Sequence, residues 1–309
     1  MTAQTALFHA GDAAEIAAIR SFMRGCSFEA TRPGARDAGV LRSFLAPGTE
    51  IYLSAVPHRP VSETLDAACA IRAAGLAPVP HLAARMYPTL RAFELALERL
   101  TGEADVTRVL LVGGDPDTPA GSVASALQIV ESGLLRKYGI KSVDLAGYPE
   151  PHPRIGADEL EAALLTKSAG LQAQGIDAHL VTQFGFDARP ILRWLAWLRG
   201  RGLHLPVKVG LAGPASVASW LGYARRCGVR ASASALASRS GLAKHLFSTV
   251  APDPVIRELA ALAAAGRLPD VSAHMFSFGG IAATARWLQG VQAGEMALEA
   301  DGGFMAGAG

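Results

Sequence analysis

The sequence has few cysteines, and none of them stands at the spacing of a metal or redox motif. Cys26, Cys69 and Cys227 are far apart and form no C-x-x-C pair, which argues against a zinc ribbon, a thioredoxin-type site and a disulfide framework. The N-terminus also lacks a basic segment followed by an apolar core, so it does not indicate a secretory signal. We therefore expect a protein of a reducing compartment and place it in the cytoplasm.

The sequence also lacks an excess of one charge and a long apolar run. Its 29 basic and 27 acidic residues give a formal charge of +2, with no long run of either sign. This excludes the basic surface expected for binding to nucleic acid or to an anionic membrane. The mean hydropathy is +0.25, but the uncharged stretch 209–224 is too short to span a bilayer and is interrupted by glycine and proline. We expect a small molecule as the partner, with no nucleic acid and no membrane.

Short apolar runs alternate along the chain with longer segments of helical periodicity. Such an alternation is typical of strands and helices arranged around a parallel sheet. The eight runs are Cys26–Ala30, Glu50–Ala55, Ala77–Leu82, Arg108–Gly113, Val143–Tyr148, His179–Phe184, Val207–Leu211 and Val271–Phe278. The helical segments between them include Ser62–Ala74, Pro88–Leu100, Ser122–Lys137, Ala157–Gln174, Ala188–Arg201 and Pro214–Arg226.

Eight alternations in a chain of 309 residues predict an α/β protein of one domain, a (β/α)8 TIM barrel over residues 1–300. An open doubly wound sheet usually has only about five or six strands. Two further helical patterns, Leu242–Val250 and Pro254–Gly266, lie between the seventh and eighth runs and predict an extra helix before the last strand. Residues 301–309 are expected to form a flexible C-terminal tail.

Polar residues at the strand ends are the candidates for chemistry, because the loops that follow the strands form the active-site face of such a barrel. Glu29 ends the first run between Phe28 and Ala30, and we expect a raised pKa and general-acid chemistry there. Taken alone, a strand-end acid is more often solvated or salt-bridged. His81 is likewise more often a packed histidine than a ligand, and no second His or Cys stands at metal spacing, so no metal site is predicted.

The Gly-rich run Val112–Pro119 lies between a predicted strand and a predicted helix. Backbone N–H groups exposed in such a loop are suited to a phosphate or a flat ring. The run matches neither a Walker loop nor G-x-G-x-x-G, and a tight turn is the alternative interpretation.

Five strand-end segments, taken in order, resemble those of the methylenetetrahydrofolate reductase family. They are SFEATRP at 27–33, PHL at 80–82, GGDP at 113–116, AGYPEPHP at 146–153 and TQFGFD at 182–187. The last two are the most specific, since they are long, correctly ordered and separated by a helix. The resemblance implies a flavin-dependent (β/α)8 barrel of one-carbon metabolism with FAD as its cofactor.

The resemblance also implies roles for individual residues. Glu29 matches the catalytic acid that protonates folate N10, Asp115 the acid that hydrogen-bonds the pterin and tunes the flavin, and Gln183 the amide that contacts folate and the nicotinamide donor. Cofactor-binding positions are His81, Gly113, Gly114, Ala146, Tyr148, His152 and Lys167, and Phe278 joins Gln183 at the substrate. The family's loop arginine is replaced by Gly113 and its helix lysine by Leu171, which leaves Lys167 as the nearby cation on that helix.

The function that the resemblance implies is an oxidoreductase that interconverts 5,10-methylene- and 5-methyl-tetrahydrofolate by hydride transfer at flavin N5. The changes on the nicotinamide side point to the methyl-oxidising direction, with NADH or another electron partner. A flavin barrel that oxidises another amine and a non-catalytic folate-binding accessory barrel are the alternatives. Members of the family are commonly homo-oligomers, and the sequence leaves the oligomeric state open.

Overall fold

The fold is a closed barrel of eight parallel strands, seen in a computed structural model that describes residues 10–56, 59–229 and 249–306. The barrel strands are β1 (Ser27–Ala30), β2 (Glu50–Leu53), β3 (Ala77–Ala83), β4 (Arg108–Val112), β5 (Ser142–Gly147), β6 (Asp177–Gly185), β7 (Val207–Ala212) and β8 (Val271–Phe276). Each strand pairs with the next, and β8 pairs with β1 to close the ring. The predicted (β/α)8 barrel is confirmed.

Alternate side chains along each strand point either outward, into the core between the strands and the helices, or inward, into the barrel. On β2, Ile51 and Leu53 point outward and are buried in the core between the strands and the helices, whereas Glu50 and Tyr52 point into the barrel. Period-two alternation of this kind follows from the pleat of a β-strand. The barrel interior thus holds polar side chains with one small apolar layer of Tyr52, Val79, Leu110 and Val181.

Helices follow the strands on the outside of the barrel. They are α1 (Ala10–Met23), which precedes β1, then α2 (Ala35–Phe44), α3 (Ser62–Ala73), α4 (Leu90–Ala104), α5 (Ala126–Glu131), α6 (Leu134–Lys137), α7 (Ala157–Ala173), α8 (Ala188–Gly200), α9 (Val217–Cys227), α10 (Asp253–Ala264) and α11 (Ile281–Ala293). The segment predicted as one helix over Ser122–Lys137 is two helices, because Gly133 between them adopts a left-handed φ of 70°. Within the described ranges, no helix combines the length and the apolar content needed to cross a membrane.

Among the described residues of the connection between β7 and β8 are two helices, α9 and α10, which confirms the predicted extra helix before the last strand. A short antiparallel pair, Ala215–Ser216 with Thr249–Val250, accompanies α9. Residues 242–248 of the helix predicted over Leu242–Val250 lie outside the described residues, and its last two residues form one strand of this pair instead.

Residues 301–306 do not form the flexible tail that the sequence predicts. Phe304–Ala306 pairs antiparallel with Met296–Leu298, and the Phe304 ring is buried in a stack against Trp287 at 6.0 Å. The Phe304 N–H donates to Asp253 Oδ2 at 3.0 Å. Burial of this one ring and its backbone bond fix a segment whose glycine content suggests freedom; residues 307–309 lie outside the described part of the chain.

Gly210 tests the packing between β6 and β7. The β6–β7 register shifts between Val181 and Phe184, and a Cβ on Gly210 would lie 2.5 Å from the Thr182 carbonyl oxygen and 2.8 Å from that of Gln183. Overpacking of this kind costs about 1–3 kcal/mol, so we expect Gly210→Ala to unfold at lower urea concentration than the unsubstituted protein. The control is Gly39→Ala in helix α2, where no described neighbour lies within 4 Å of the added methyl. Alanine in place of a glycine inside a helix stabilises the folded protein by about 0.5–1 kcal/mol. Equal midpoints for the two variants would contradict the close approach.

Candidate active site

The mouth of the barrel gathers polar side chains from strands that are distant in sequence. Glu29 lies near the end of β1, His81 on β3, Gln183 on β6 and His274 on β8, and Ser54 directly follows β2. The carboxyl ends of parallel barrel strands share one face, and this face forms the active site of (β/α)8 enzymes. Glu29, His81 and Gln183, which were predicted separately, therefore lie at one mouth.

Glu29 is the centre of this group. Its Oε1 accepts a hydrogen bond from Ser54 Oγ at 2.7 Å. Its Oε2 lies 3.3 Å from His274 Nε2 and 3.6 Å from His81 Nε2. Only 13% of its side chain is exposed.

The raised pKa predicted for Glu29 is wrong. Burial alone raises the pKa of this carboxyl, but the facing His81 and the hydrogen bonds from His274 and Ser54 outweigh burial and hold the pKa below its ordinary value of 4.5. Donors that stabilise the charged form lower the pKa of an acid. At neutral pH Glu29 is therefore a carboxylate with donors on both oxygens.

His274 is a site residue that the sequence reasoning missed. It is fully buried, and its Nδ1 lies 2.9 Å from Ser27 Oγ. Only the residues at the end of the β8 run were considered as candidates. Side chains two residues apart share one face of a strand, so His274 lies on the same inward face as Phe276. That alternation was the available signal.

Two buried side-chain nitrogens at the mouth have no hydrogen-bond partner among the described residues. They are His81 Nε2 and Gln183 Nε2. Burial lowers the pKa of His81, and the charge of Glu29 only partly opposes this, so the imidazole is neutral at neutral pH. Since buried polar atoms are normally paired, two such nitrogens at one mouth mark a place for a ligand that accepts hydrogen bonds or, at His81, donates one.

Asp115, Tyr148 and His152 form a second, more exposed group on the loops after β4 and β5. The Asp115 side chain is exposed, and its charge adds to burial in raising the pKa of Tyr148. The Tyr148 and His152 rings meet edge to face at 5.0 Å. Arg154 joins the two loops by donating to the Asp115 carbonyl oxygen at 3.2 Å and by pairing with Asp117.

The glycine loop supplies backbone to the same face. Gly113 has open space where a Cβ would point, whereas Gly114 adopts a φ of +101° and lies against Ala83. The Arg85 guanidinium donates to the Pro116 carbonyl oxygen of this loop at 3.3 Å and to the Ala124 carbonyl oxygen beyond it at 3.0 Å. Ala146 stands on β5 and is half-buried.

Lys167 and Phe278 are not gathered with Glu29. Lys167 is ten residues from the start of α7, and at the rise of an α-helix it lies about 15 Å along the axis from the helix end nearest the mouth; burial lowers the pKa of its amine. Phe278 belongs to an aromatic wall over β6 and β8, where it stacks on Tyr223 at 4.0 Å and contacts Phe184 edge to face at 4.7 Å. The structure thus gives no support for Lys167 as a group at the mouth.

Below the mouth, a network of charges fills the barrel. The Tyr52 hydroxyl donates to Asp144 Oδ2 at 2.8 Å and accepts from Lys208 Nζ at 2.9 Å. Arg108 bridges Asp144 Oδ1 and Glu50 Oε1, each at 3.1 Å, and Lys208 pairs with Glu50. Burial, with the charges of Asp144 and Glu50, raises the pKa of Tyr52 well above its ordinary value, so its hydroxyl stays protonated and donates.

Solved structures resemble this chain in fold at low identity. The dihydropteroate synthase of Thermus thermophilus is 16% identical over 85% of this chain and 90% of its own, with a TM-score of 0.45. A conserved Enterococcus faecalis protein of unknown function is 11% identical over 85% and 65%, with a TM-score of 0.42. A GH128 endo-beta-1,3-glucanase of Amycolatopsis mediterranei is 13% identical over 87% and 99%, also with a TM-score of 0.42. No family model matches the chain.

The lowered pKa of Glu29 has a measurable consequence for stability. Because the folded state binds this proton less tightly than the unfolded state, Glu29 stabilises the fold above its ordinary pKa of 4.5, and this contribution is lost as pH falls through the folded pKa. We expect Glu29→Gln to be less stable than the unsubstituted protein at neutral pH and to lose less stability over that acidic interval. Urea unfolding against pH measures both.

The matched control is Glu98→Gln, which removes an exposed carboxylate in the middle of α4. Surface changes of this kind usually alter stability by no more than about 0.5 kcal/mol. A Glu29→Gln curve that runs parallel to the unsubstituted curve at all pH values would contradict the assignment.

Proposed function

We propose that the protein is a flavin-dependent oxidoreductase of the methylenetetrahydrofolate reductase type, with FAD and a tetrahydrofolate derivative as its ligands. The observation that carries the proposal is that three predicted site residues lie at the same barrel mouth. Glu29, His81 and Gln183 come from three separate sequence segments that resemble this family, and they meet at one barrel mouth, where two buried nitrogens have no partner among the described residues.

The residues at the mouth suit the ring system of a flavin better than its diphosphate. The unpartnered nitrogens of His81 and Gln183 suit the polar edge of a planar ring, and the open space at Gly113 lets a flat ligand approach the backbone. For the diphosphate, Gly113 offers no side-chain charge and Lys167 lies far along α7. Arg85 and Arg154 are cations at the glycine loop, and both already donate to its carbonyl oxygens.

A bound flavin would supply the redox chemistry, by exchanging a hydride with the one-carbon unit. The part that falls to this chain is the transfer of the proton at folate N10, and we assign it to the Glu29 carboxylate. As an ionised base, Glu29 is ready to take the proton that N10 loses when 5-methyl-tetrahydrofolate is oxidised and its methylene bridge closes. Reduction is the reverse step, in which Glu29 must first carry a proton that it then gives to N10. The ionised state of Glu29 is the one that the methyl-oxidising direction uses.

Asp115 and the aromatic wall complete the assignment. The exposed Asp115 side chain is suited to a cationic pterin intermediate, and Gln183 has an amide N–H available for an acceptor on the substrate. The stacked rings of Phe278 and Tyr223 add an apolar face beside β6 and β8. Two acidic side chains thus take two roles, one moving a proton and one holding a charge.

The first test is the visible spectrum of the purified protein supplied with FAD, followed by anaerobic addition of 5-methyl-tetrahydrofolate and, separately, of NADH. We expect flavin bands that bleach with 5-methyl-tetrahydrofolate. Bleaching with NADH identifies NADH as an electron partner, and its absence indicates another. A protein that takes up no FAD but binds the folate is the accessory barrel, and one that binds flavin but no folate is an oxidase of another amine.

The second test uses Glu29→Gln in the same half-reaction. Without the carboxylate, the N10 proton has no base, and general acid–base catalysis contributes about 10²–10⁴-fold; we expect the rate of bleaching to fall by about that factor while FAD remains bound. Glu98→Gln is the matched control and should bleach at the unsubstituted rate. Unchanged kinetics in Glu29→Gln would remove Glu29 from the reaction.

A further inference from the structure

Glu29 has a neighbour whose role the proposed function does not include. His274 is fully buried, and each of its ring nitrogens faces a single polar group, with Ser27 Oγ at 2.9 Å from Nδ1 and Glu29 Oε2 at 3.3 Å from Nε2. A neutral imidazole carries one N–H, and the partner of the other nitrogen decides which nitrogen bears it.

The partners select one tautomer. An ionised Glu29 only accepts hydrogen bonds, so the nitrogen that faces it must donate. Ser27 has a hydroxyl that is able to donate to the remaining lone pair on Nδ1. The one arrangement that satisfies all three groups with a neutral ring therefore has the proton on Nε2, with Ser27 donating to Nδ1.

The fold holds this arrangement rigidly. Ser27 and His274 are direct partners in the β1–β8 register, and Glu29 is two residues from Ser27 on the same face of β1. The imidazole is clamped edge to face by Tyr52 at 4.6 Å and by Phe276 at 4.9 Å. Tyr52 is itself fixed by its hydrogen bonds to Asp144 and Lys208.

We propose that Ser27 and His274 are positioning residues that fix the Nε2–H tautomer of His274 and thereby hold Glu29 as an oriented carboxylate. The inference deepens the proposed function and rests on it for the identity of the proton donor, but the tautomer itself does not depend on any ligand. His274 acts through Glu29, and its ring is too deeply buried to meet a substrate.

The charges around the pair belong to several strands. The titratable groups that face Glu29 and His274 are His81 on β3 and Tyr52 on β2. Asp144 on β5 and Lys208 on β7 lie one contact further away, hydrogen-bonded to the Tyr52 hydroxyl. None of these is altered in the variants below, so a change in the Glu29 titration reports the loss of His274 alone.

The direct test is nitrogen-15 NMR of the histidine-labelled protein without ligands, which distinguishes the two tautomers and the imidazolium. Eight histidines are present, and the His274 signals are those that vanish in His274→Phe. We expect His274 to carry one proton, on Nε2, at neutral pH. A proton on Nδ1 alone, or on both nitrogens, would overturn the proposal whatever the protein catalyses.

The second measurement is the titration of Glu29, followed by the infrared band of its protonated carboxyl and assigned by its loss in Glu29→Gln. Removal of a hydrogen bond to a charged group in His274→Phe should raise the midpoint by about one to two pH units. His274→Gln places an amide N–H near the former Nε2 and should restore most of the shift. An unchanged midpoint in His274→Phe would refute the positioning role.

Ser27→Ala tests the other end of the pair, with Ser142→Ala as control. Ser142 is also a buried serine on a barrel strand, but it lies at the start of β5, away from the mouth. We expect Ser27→Ala to add the Nδ1–H form to the His274 spectrum and Ser142→Ala to leave that spectrum unchanged. A pure Nε2–H signal in Ser27→Ala would show that Ser27 does not set the tautomer.

These readouts separate the two proposals. If the NMR and infrared results hold but no flavin or folate binds, the positioning pair stands and the proposed function fails. If bleaching by 5-methyl-tetrahydrofolate is seen and the titration midpoint of Glu29 is unchanged in His274→Phe, the function stands and the positioning role fails. If both hold, His274→Phe moves the acidic limb of the bleaching rate upward by the same interval as the Glu29 titration.

Discussion

The pairing of β1 with β8 is the contact on which the site depends. It closes the barrel, and the same register that joins the strands brings Ser27 opposite His274 and so places Glu29 beside that imidazole. The two strands are separated by about 240 residues of chain. Neither strand alone surrounds the Glu29 carboxylate with hydrogen-bond donors. Glu29 therefore has its donors only when the barrel is closed.

The interior of the closed barrel also holds charged side chains. An ion removed from water is stabilised only when its hydrogen bonds are replaced, and a broken pair costs more than the intact pair gains. The lower network meets this condition, since Arg108 and Lys208 balance Asp144 and Glu50 around the Tyr52 hydroxyl. This network also supports His274 and His81, because Tyr52 contacts both rings edge to face.

Much of the fold could be predicted from the sequence, because periodicity is local. The strand β2, Glu50–Leu53, lies within the short apolar run Glu50–Ala55, and the end of the helix before Gly139 follows from a residue that tolerates positive φ. The ordering of 301–306 could not be predicted, since it depends on the ring of Phe304 meeting Trp287 from another part of the chain. Sequence patterns carry no information on such a contact.

The candidate site divides in the same way. Glu29, His81 and Gln183 were found because each ends or follows an apolar run, and the topology of a barrel brings such ends together. The pKa of Glu29 was predicted with the wrong sign because only its apolar chain neighbours, Phe28 and Ala30, were visible, and burial is the one effect they report. The donors that reverse it, His274 and Ser54, come from two other parts of the barrel.

The pKa of Glu29 depends on the difference between burial and hydrogen bonding. Burial and hydrogen bonding act on a carboxyl group in opposite directions, and the balance is decided by how many donors reach the charged form. At Glu29 both oxygens have a donor within 3.3 Å, whereas an acid that must stay protonated at rest needs acceptors or an apolar wall in their place. The same side chain at the end of the same strand is therefore an acid or a base according to what β2 and β8 present to it. Strand pairing, more than the sequence around Glu29, sets the chemistry of this mouth.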